Sequence, residues 1–287
     1  MNSKPISRNR ALFYVFIAAL LWASGGVFVK LLDAHPLTIS GWRALIALPV
    51  LLFAYKPRTL RFPAKVWLFA AFPTITGILY VCANKLTTAA NAIVLQFVSP
   101  VFIILFGAIF FHERIYKEDL FVTAACIGGM ALFFFDELSA GGLLGNLLAV
   151  LSGVTSAAFF MCMNRTKEDT GSIILASQFE TIAIGLPFMF LSPVAFTPVS
   201  LFALCALGLL QRGASSIIYA RGARHCGALD AVLVSIAEPL LNPVFVMLLF
   251  NERPGRLALV GAIVIVVSVL LWNISKQRFL HIENANS

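Results

Sequence analysis

The sequence predicts an all-α polytopic membrane protein, ten transmembrane helices set as two inverted five-helix repeats, and three observations predict it. Of the 287 residues, 60% are hydrophobic and 12% charged, and the mean hydropathy is +0.92, a composition foreign to a water-soluble domain. Apolar runs of about 20 residues, the length that crosses a bilayer as a helix, follow one another with only short polar breaks. A segment around Pro100 recurs around Pro239.

The expected spans are 11–32, 38–55, 66–84, 89–111, 117–135, 143–164, 173–192, 200–221, 229–250 and 256–274. The first follows Lys4, Arg8 and Arg10 as a signal peptide would, but it exceeds the usual apolar region of about 7 to 15 residues, so it reads as a retained span. The second carries Trp42 and Arg43. Hydrophobicity is weakest in the third, where Pro73, Thr74, Thr76 and Gly77 interrupt it; without it nine spans would put the termini on opposite sides. The fourth holds Pro100 and ends at Glu113-Arg114, and the seventh holds Glu180. The eighth carries Gln211, Arg212, Ser215 and Tyr219, and the ninth carries Glu238-Pro239 and ends at Glu252-Arg253.

Charge fixes an orientation. With the N-terminus inside, fifteen Lys and Arg fall in the inner loops and ends, against Lys85, Arg253 and Arg256 outside. That asymmetry predicts cytoplasmic N- and C-termini in an inner (plasma) membrane. The formal charge of +8 is dispersed at span ends rather than gathered on a face, which argues against nucleic acid as a partner. The five cysteines show no CxxC spacing, and neither a metal site nor a cofactor is expected. His112-Glu113 is not part of an HExxH motif, and no GxSxG or GxxxxGK occurs, so an enzyme is not expected. Two glycosylation sequons, at Asn164 and Asn273, fall at inner span ends and read as chance.

A shift of 139 positions superposes Tyr80 on Tyr219, Asn91 on Asp230, Pro100 on Pro239, Glu113 on Glu252 and Arg114 on Arg253. It also sets Gln96 on Ser235 and Ser99 on Glu238, while a slightly smaller shift sets Arg43 against Glu180. Two units follow, 1–136 and 137–287, each of five spans, together forming one transport domain. Because five is odd, the second must insert upside down, the arrangement of many secondary carriers. Two such halves, with a proline-containing fourth span ending in Glu-Arg and an Arg in the second span, resemble the drug/metabolite transporter superfamily, EamA family. The resemblance covers almost the whole chain. It implies a ten-span carrier with a central cavity lined largely by the first, third, fourth, sixth, eighth and ninth spans.

The candidate residues are those that polarity makes costly inside hydrocarbon. Ser235, Glu238 and Asn242 share one face of the ninth span, and Gln211, Ser215 and Tyr219 share one face of the eighth. Arg212 lies at a depth like that of Glu238, so the two are expected to pair or to hold opposite charges of one zwitterion. Gln96 and Ser99 mirror Ser235 and Glu238 on the opposing wall. Trp22 and Tyr80 are candidate cavity aromatics. Pro100 and Pro239, present in both halves, are expected hinges. Arg43, Glu180 and Glu238 are candidate gating or coupling residues; for Arg43 and Lys30 the plainer expectation is a side chain reaching up to the headgroups, and for Glu180 a loop cation as partner.

The expected function is a secondary transporter that exports amino acids or related small organic metabolites through a central cavity by alternating access, with protons as a coupling ion if Glu238 titrates. Uptake of a charged or nucleotide-like metabolite is the alternative, and an ion channel a more distant one. Its partners are a small organic solute and membrane lipid, with the chain acting as a monomer or weak dimer.

Overall fold

A computed structural model of the chain describes residues 7–57, 60–136, 140–223, 225–226, 234–250 and 255–286. Among them there are helices and no strands, as a bilayer demands of any open chain whose backbone must satisfy its own hydrogen bonds. Among the described residues, eight helices are long and apolar enough to cross a membrane: Arg8–Lys30, Pro36–Tyr55, Ala64–Leu86, Ala89–Phe111, Gly142–Cys162, Thr170–Leu191, Pro198–Ala223 and Arg256–Ser275. A shorter apolar helix, Ala237–Phe250, occupies the place of the ninth expected span. Lys117–Asp136, at the fifth, is a 20-residue helix with Glu118 and Asp119 in its first turn.

Several spans are interrupted. The first divides at Ser24 into α1 (Arg8–Ala23) and α2 (Gly25–Lys30). Two continuous helices follow, α3 (Pro36–Tyr55) and α4 (Ala64–Leu86). The fourth span divides at Phe97 and Val98 into α5 (Ala89–Gln96) and α6 (Ser99–Phe111). Next come α7 (Lys117–Asp136), α8 (Ala140–Arg165) and α9 (Thr170–Leu191). The eighth span runs as α10 (Pro198–Cys205), a π-helical stretch Ala206–Ala214, and α11 (Ser215–Ala223). Helical residues 234–235 precede a turn at Ile236 and then α12 (Ala237–Phe250), and α13 (Arg256–Asn286) closes the chain.

The first half packs against the second. α4 lies along α8, α3 along α9, α1 along α11 and α12, and α7 along α13. Small residues permit the approach, as between helices in lipid generally. A Cβ on Gly185 would stand 2.6 Å from the Gly41 Cα, and one on Gly208 would meet the Ile46 side chain at 2.6 Å, so a glycine lets a neighbouring helix close on α3 at each place. The outside carries the large apolar side chains: Phe53, Phe190 and Leu191 are each 78% exposed. A surface of that kind is stable only where the solvent is lipid.

Ties between helix ends fall into separate groups. Lys30 Nζ donates to the Thr87 carbonyl at 3.0 Å and Lys85 Nζ to Leu32 at 2.7 Å, while the Thr87 hydroxyl donates to Asn146 at 2.9 Å. Lys30 is thus bonded across to the next helix pair rather than only reaching for headgroups. Thr38 Oγ1 donates to the Phe188 and Ser192 carbonyls. Elsewhere a polar recess brings Lys56 and Arg61 beside Glu168 and Asp169, and Trp272 Nε1 donates to Asp119 at 2.6 Å.

Candidate functional site

The interruptions bring polar groups into the middle of the bundle. At Ser24, Gly25 and Gly26 have no side chain, and the space is taken by neighbours: Gln211 Nε2 lies 3.0 Å from where a Gly25 Cβ would be, and Asn242 Nδ2 lies 2.9 Å from that of Gly26. Asn242, fully buried, donates to the Ala23 carbonyl at 2.9 Å and reaches the Tyr80 hydroxyl at 3.5 Å. One amide therefore links the first, third and ninth expected spans. Beside it the Trp22 and Tyr219 rings meet at 5.0 Å, tilted by 45°, and the Tyr219 hydroxyl bonds Ser235. Trp22, Tyr80, Gln211, Tyr219 and Asn242 are thus ranged along one side of the first expected span, with Tyr219 at Trp22 and, about a turn further on, Gln211 and Asn242 at Gly25 and Gly26.

Gly77, one turn from Tyr80 on α4, marks the cationic part. A Cβ there would lie 3.0 Å from Arg212 Nη1 and 3.2 Å from Arg43 Nη2. Arg43 donates from Nη2 to the Gly77 carbonyl at 3.3 Å, and Arg212 donates from Nε to Gln178 Oε1 at 3.1 Å. Arg43 is 2% exposed, which corrects the expectation that it reaches to the headgroups: it turns inward because Gly77 and Gly208 leave room beside its helix. Arg212 stands at the end of the π-helical stretch, a wide-turned geometry that often marks functional positions.

The expected Arg212–Glu238 pair is not formed. Neither residue makes an ion pair among the described residues, since Arg212 is turned toward Gln178 on α9. Glu238 sits half-buried in the first turn of α12, where the helix dipole favours a carboxylate, and it lies within electrostatic reach of Tyr80. Glu180 takes Thr74 Oγ1 at 2.9 Å instead of a loop cation. Ser215 is fully buried and its hydroxyl donates to the Gln211 carbonyl of its own helix. Gln96 and Ser99 flank the α5–α6 break against α8, where a Gly153 Cβ would lie 2.9 Å from the Gln96 carbonyl; no described contact joins them to Arg212 or Glu238.

Pro100 stands in the first turn of α6 and Pro239 in the first turn of α12, positions where the missing N–H has no intrahelical partner to lose. Glu113 and Arg114 lie in the segment after α6, and Glu252 and Arg253 fall outside the described residues. Gln178, 1% exposed, is the partner of Arg212 that the sequence reading missed. The signal available was a second polar side chain two positions before Glu180 in an apolar run.

Comparison with known proteins agrees with this architecture. The profile of the EamA-like transporter family matches twice, over residues 9–135 and 143–274. A transporter of Archaeoglobus fulgidus is 24% identical over 282 residues, 89% of this chain and 94% of that one. Human solute carrier family 35 member G1 is 23% identical over 93% of this chain and 81% of its own. The pseudopaline exporter CntI of Pseudomonas aeruginosa is 24% identical over 66% of this chain and 67% of its own. A solved crystal structure superposes with a TM-score of 0.66 at 21% identity, over 95% of this chain and 99% of that one, a likeness of fold alone. The chain belongs to the EamA-like transporter family.

Proposed function

We propose that this transporter is a ten-span secondary carrier of the inner membrane, with both termini cytoplasmic, that exports amino acids or related small organic metabolites by alternating access. The observation that carries the reading is the row of Trp22, Tyr80, Gln211, Tyr219 and Asn242 gathered along the first span around its break at Ser24. Broken helices at the midplane are where secondary carriers hold cargo. Glu238, with one side in a helix N-terminal turn, is the group to exchange a proton if transport is coupled.

Two relations support inverted halves at 1–136 and 137–287. Phe97, at the break before α6, and Ile236, at the break before α12, are equivalent under the same shift that pairs Pro100 with Pro239. Exchanging the halves turns the α4–α8 packing into that of α1 with α11, while α3–α9 and α7–α13 map onto themselves. The end ties support ten crossings: each joins segments assigned to the same side, as Trp272 with Asp119 on the inner and Lys30 with Thr87 on the outer. Uptake of a charged metabolite is the second reading, favoured by the two arginines at Gly77.

Counterflow in proteoliposomes tests the proposal. Labelled amino acids should accumulate against an unlabelled internal pool, saturably and stereoselectively, and Asn242→Ala and Trp22→Ala should cut the rate at least about tenfold. Unitary voltage-driven currents, or the same flux in the variants, would sink it.

A further inference from the structure

Arg43 and Arg212 come within contact distance of the same point on Gly77, and no described contact places a carboxylate between them. Each guanidinium can donate five hydrogen bonds, yet among the described residues each makes one, to the Gly77 carbonyl and to Gln178 Oε1. Arg43 Nε is buried with no partner among the described residues. Neither arginine has a carboxylate within ion-pair distance among the described residues; Glu180 accepts from Thr74, and Glu238 is within electrostatic reach of Tyr80. Like charges held this close in a low-dielectric interior repel. An unpaired intramembrane arginine is retained at a cost of a few kcal/mol on insertion scales, and two together are more expensive still.

A salt bridge would explain buried arginines, but here the anions are elsewhere. A bound oxyanion explains them better. Two forks pointing at one small residue are suited to a carboxylate or phosphoryl group, which accepts several charge-assisted hydrogen bonds from planar guanidinium groups. Gly77 supports the assignment, because any larger residue would fill the place where the two forks approach each other. Gln178, buried and fixed by its own donation to the Ile174 carbonyl at 3.0 Å, holds Arg212 at this angle.

We propose that Arg43 and Arg212 form an oxyanion subsite over Gly77, and that the cargo carries at least one more negative charge than positive. The inference rests on the transport reading for its cargo, but binding alone tests the subsite. An aminocarboxylate with two acidic groups fits the whole arrangement: one oxyanion at the arginines, with an ammonium toward Glu238. A monocarboxylate zwitterion leaves the pair one charge short.

The test uses the purified full-length chain in detergent and follows thermal unfolding with succinate, aspartate, inorganic phosphate, leucine or sodium chloride at matched ionic strength. Aspartate, succinate or phosphate should raise the midpoint above the chloride value, and leucine should not. Arg212→Gln and Arg43→Gln should each weaken that effect at least about tenfold in apparent affinity. Arg212→Lys, which keeps the charge and loses the fork, should fall between, and it serves if a glutamine variant does not fold. In chloride alone, Arg212→Gln should be no less stable than the wild type, since a structural ion pair would be missed and an unoccupied anion site would not. The carboxylate and phosphate arms tell the two ligand sources apart. Equal midpoints for every anion and chloride, or full oxyanion stabilisation in both glutamine variants, would overturn the subsite. Saturable counterflow of leucine with no oxyanion effect would leave the transport reading standing and remove this one; oxyanion binding with no flux of any solute would do the reverse.

Discussion

Asn242 illustrates how a single amide organises the centre. Its Nδ2 bonds the Ala23 carbonyl beside the α1–α2 break, and its body fills the space that Gly26 leaves. Asn242→Ala leaves that carbonyl without its partner in a dry place; such losses are about 1–3 kcal/mol in water-soluble proteins and nearer 0.6 kcal/mol between membrane helices. We expect a drop of about 1 kcal/mol in detergent unfolding, with Asn242→Leu worse because branched bulk meets Gly26. Gly77→Ala is the converse. Its methyl would crowd only the flexible ends of Arg43 and Arg212, so the fold should survive within about 0.5 kcal/mol while flux falls; loss of the folded fraction would show that Gly77 serves packing instead. The sequence marked most of these residues as polar groups costly in hydrocarbon. It could not show which way Arg43 turns, since an arginine two turns from a span end reaches either headgroups or interior with the same backbone. Nor could it show that the Ser215 hydroxyl is taken up by the Gln211 carbonyl, since a helical wheel gives the face of a serine and not the partner of its hydroxyl.

At the scale of the element, the interruptions matter more than the spans. The apolar runs made the helices legible, and Pro100 and Pro239 made breaks legible in kind. Their place was not: each proline stands just inside the second half-helix, so it starts a helix and does not kink one. Alanine at Pro239 could lengthen the helix backward across Ile236, and it would loosen the break without removing any hydrogen bond. Pro239→Ala should therefore leave unfolding within about 1 kcal/mol of wild type while slowing counterflow, with ligand affinity little changed. A fall in affinity equal to the fall in rate would place Pro239 in binding and not in motion. The α3–α9 contact makes a firmer demand. Gly185 already touches the Gly41 backbone, so Gly185→Leu must push two helices apart, and overpacking of this kind costs about 1–3 kcal/mol. The purified variant should show a lower melting midpoint; an unchanged one would mean that the contact is loose in the membrane.

For the whole molecule the question is how many times the chain crosses. The ninth and fifth expected spans are the weak points, one because α12 has 14 residues and its approach at 227–233 is outside the described residues, the other because α7 opens on Lys117, Glu118 and Asp119. Both are nevertheless packed as crossing helices would be: α7 lies along the span-length α13, and α12 along α1. The Asp119–Trp272 bond places the polar start of α7 beside the end of the last span, at one membrane face. Single cysteines in a cysteine-free chain decide the matter, read with a membrane-impermeant thiol reagent in intact cells and in inverted vesicles. Ile115→Cys and Lys167→Cys should label only from the cytoplasmic side, and Ala195→Cys and Gly255→Cys only from outside. If α7 failed to cross, residues 115 and 167 would report opposite sides; if α12 failed, 195 and 255 would. Either result would separate the two halves in span number, and with it would go the proposed inverted repeat in which Glu238 takes the place of Ser99.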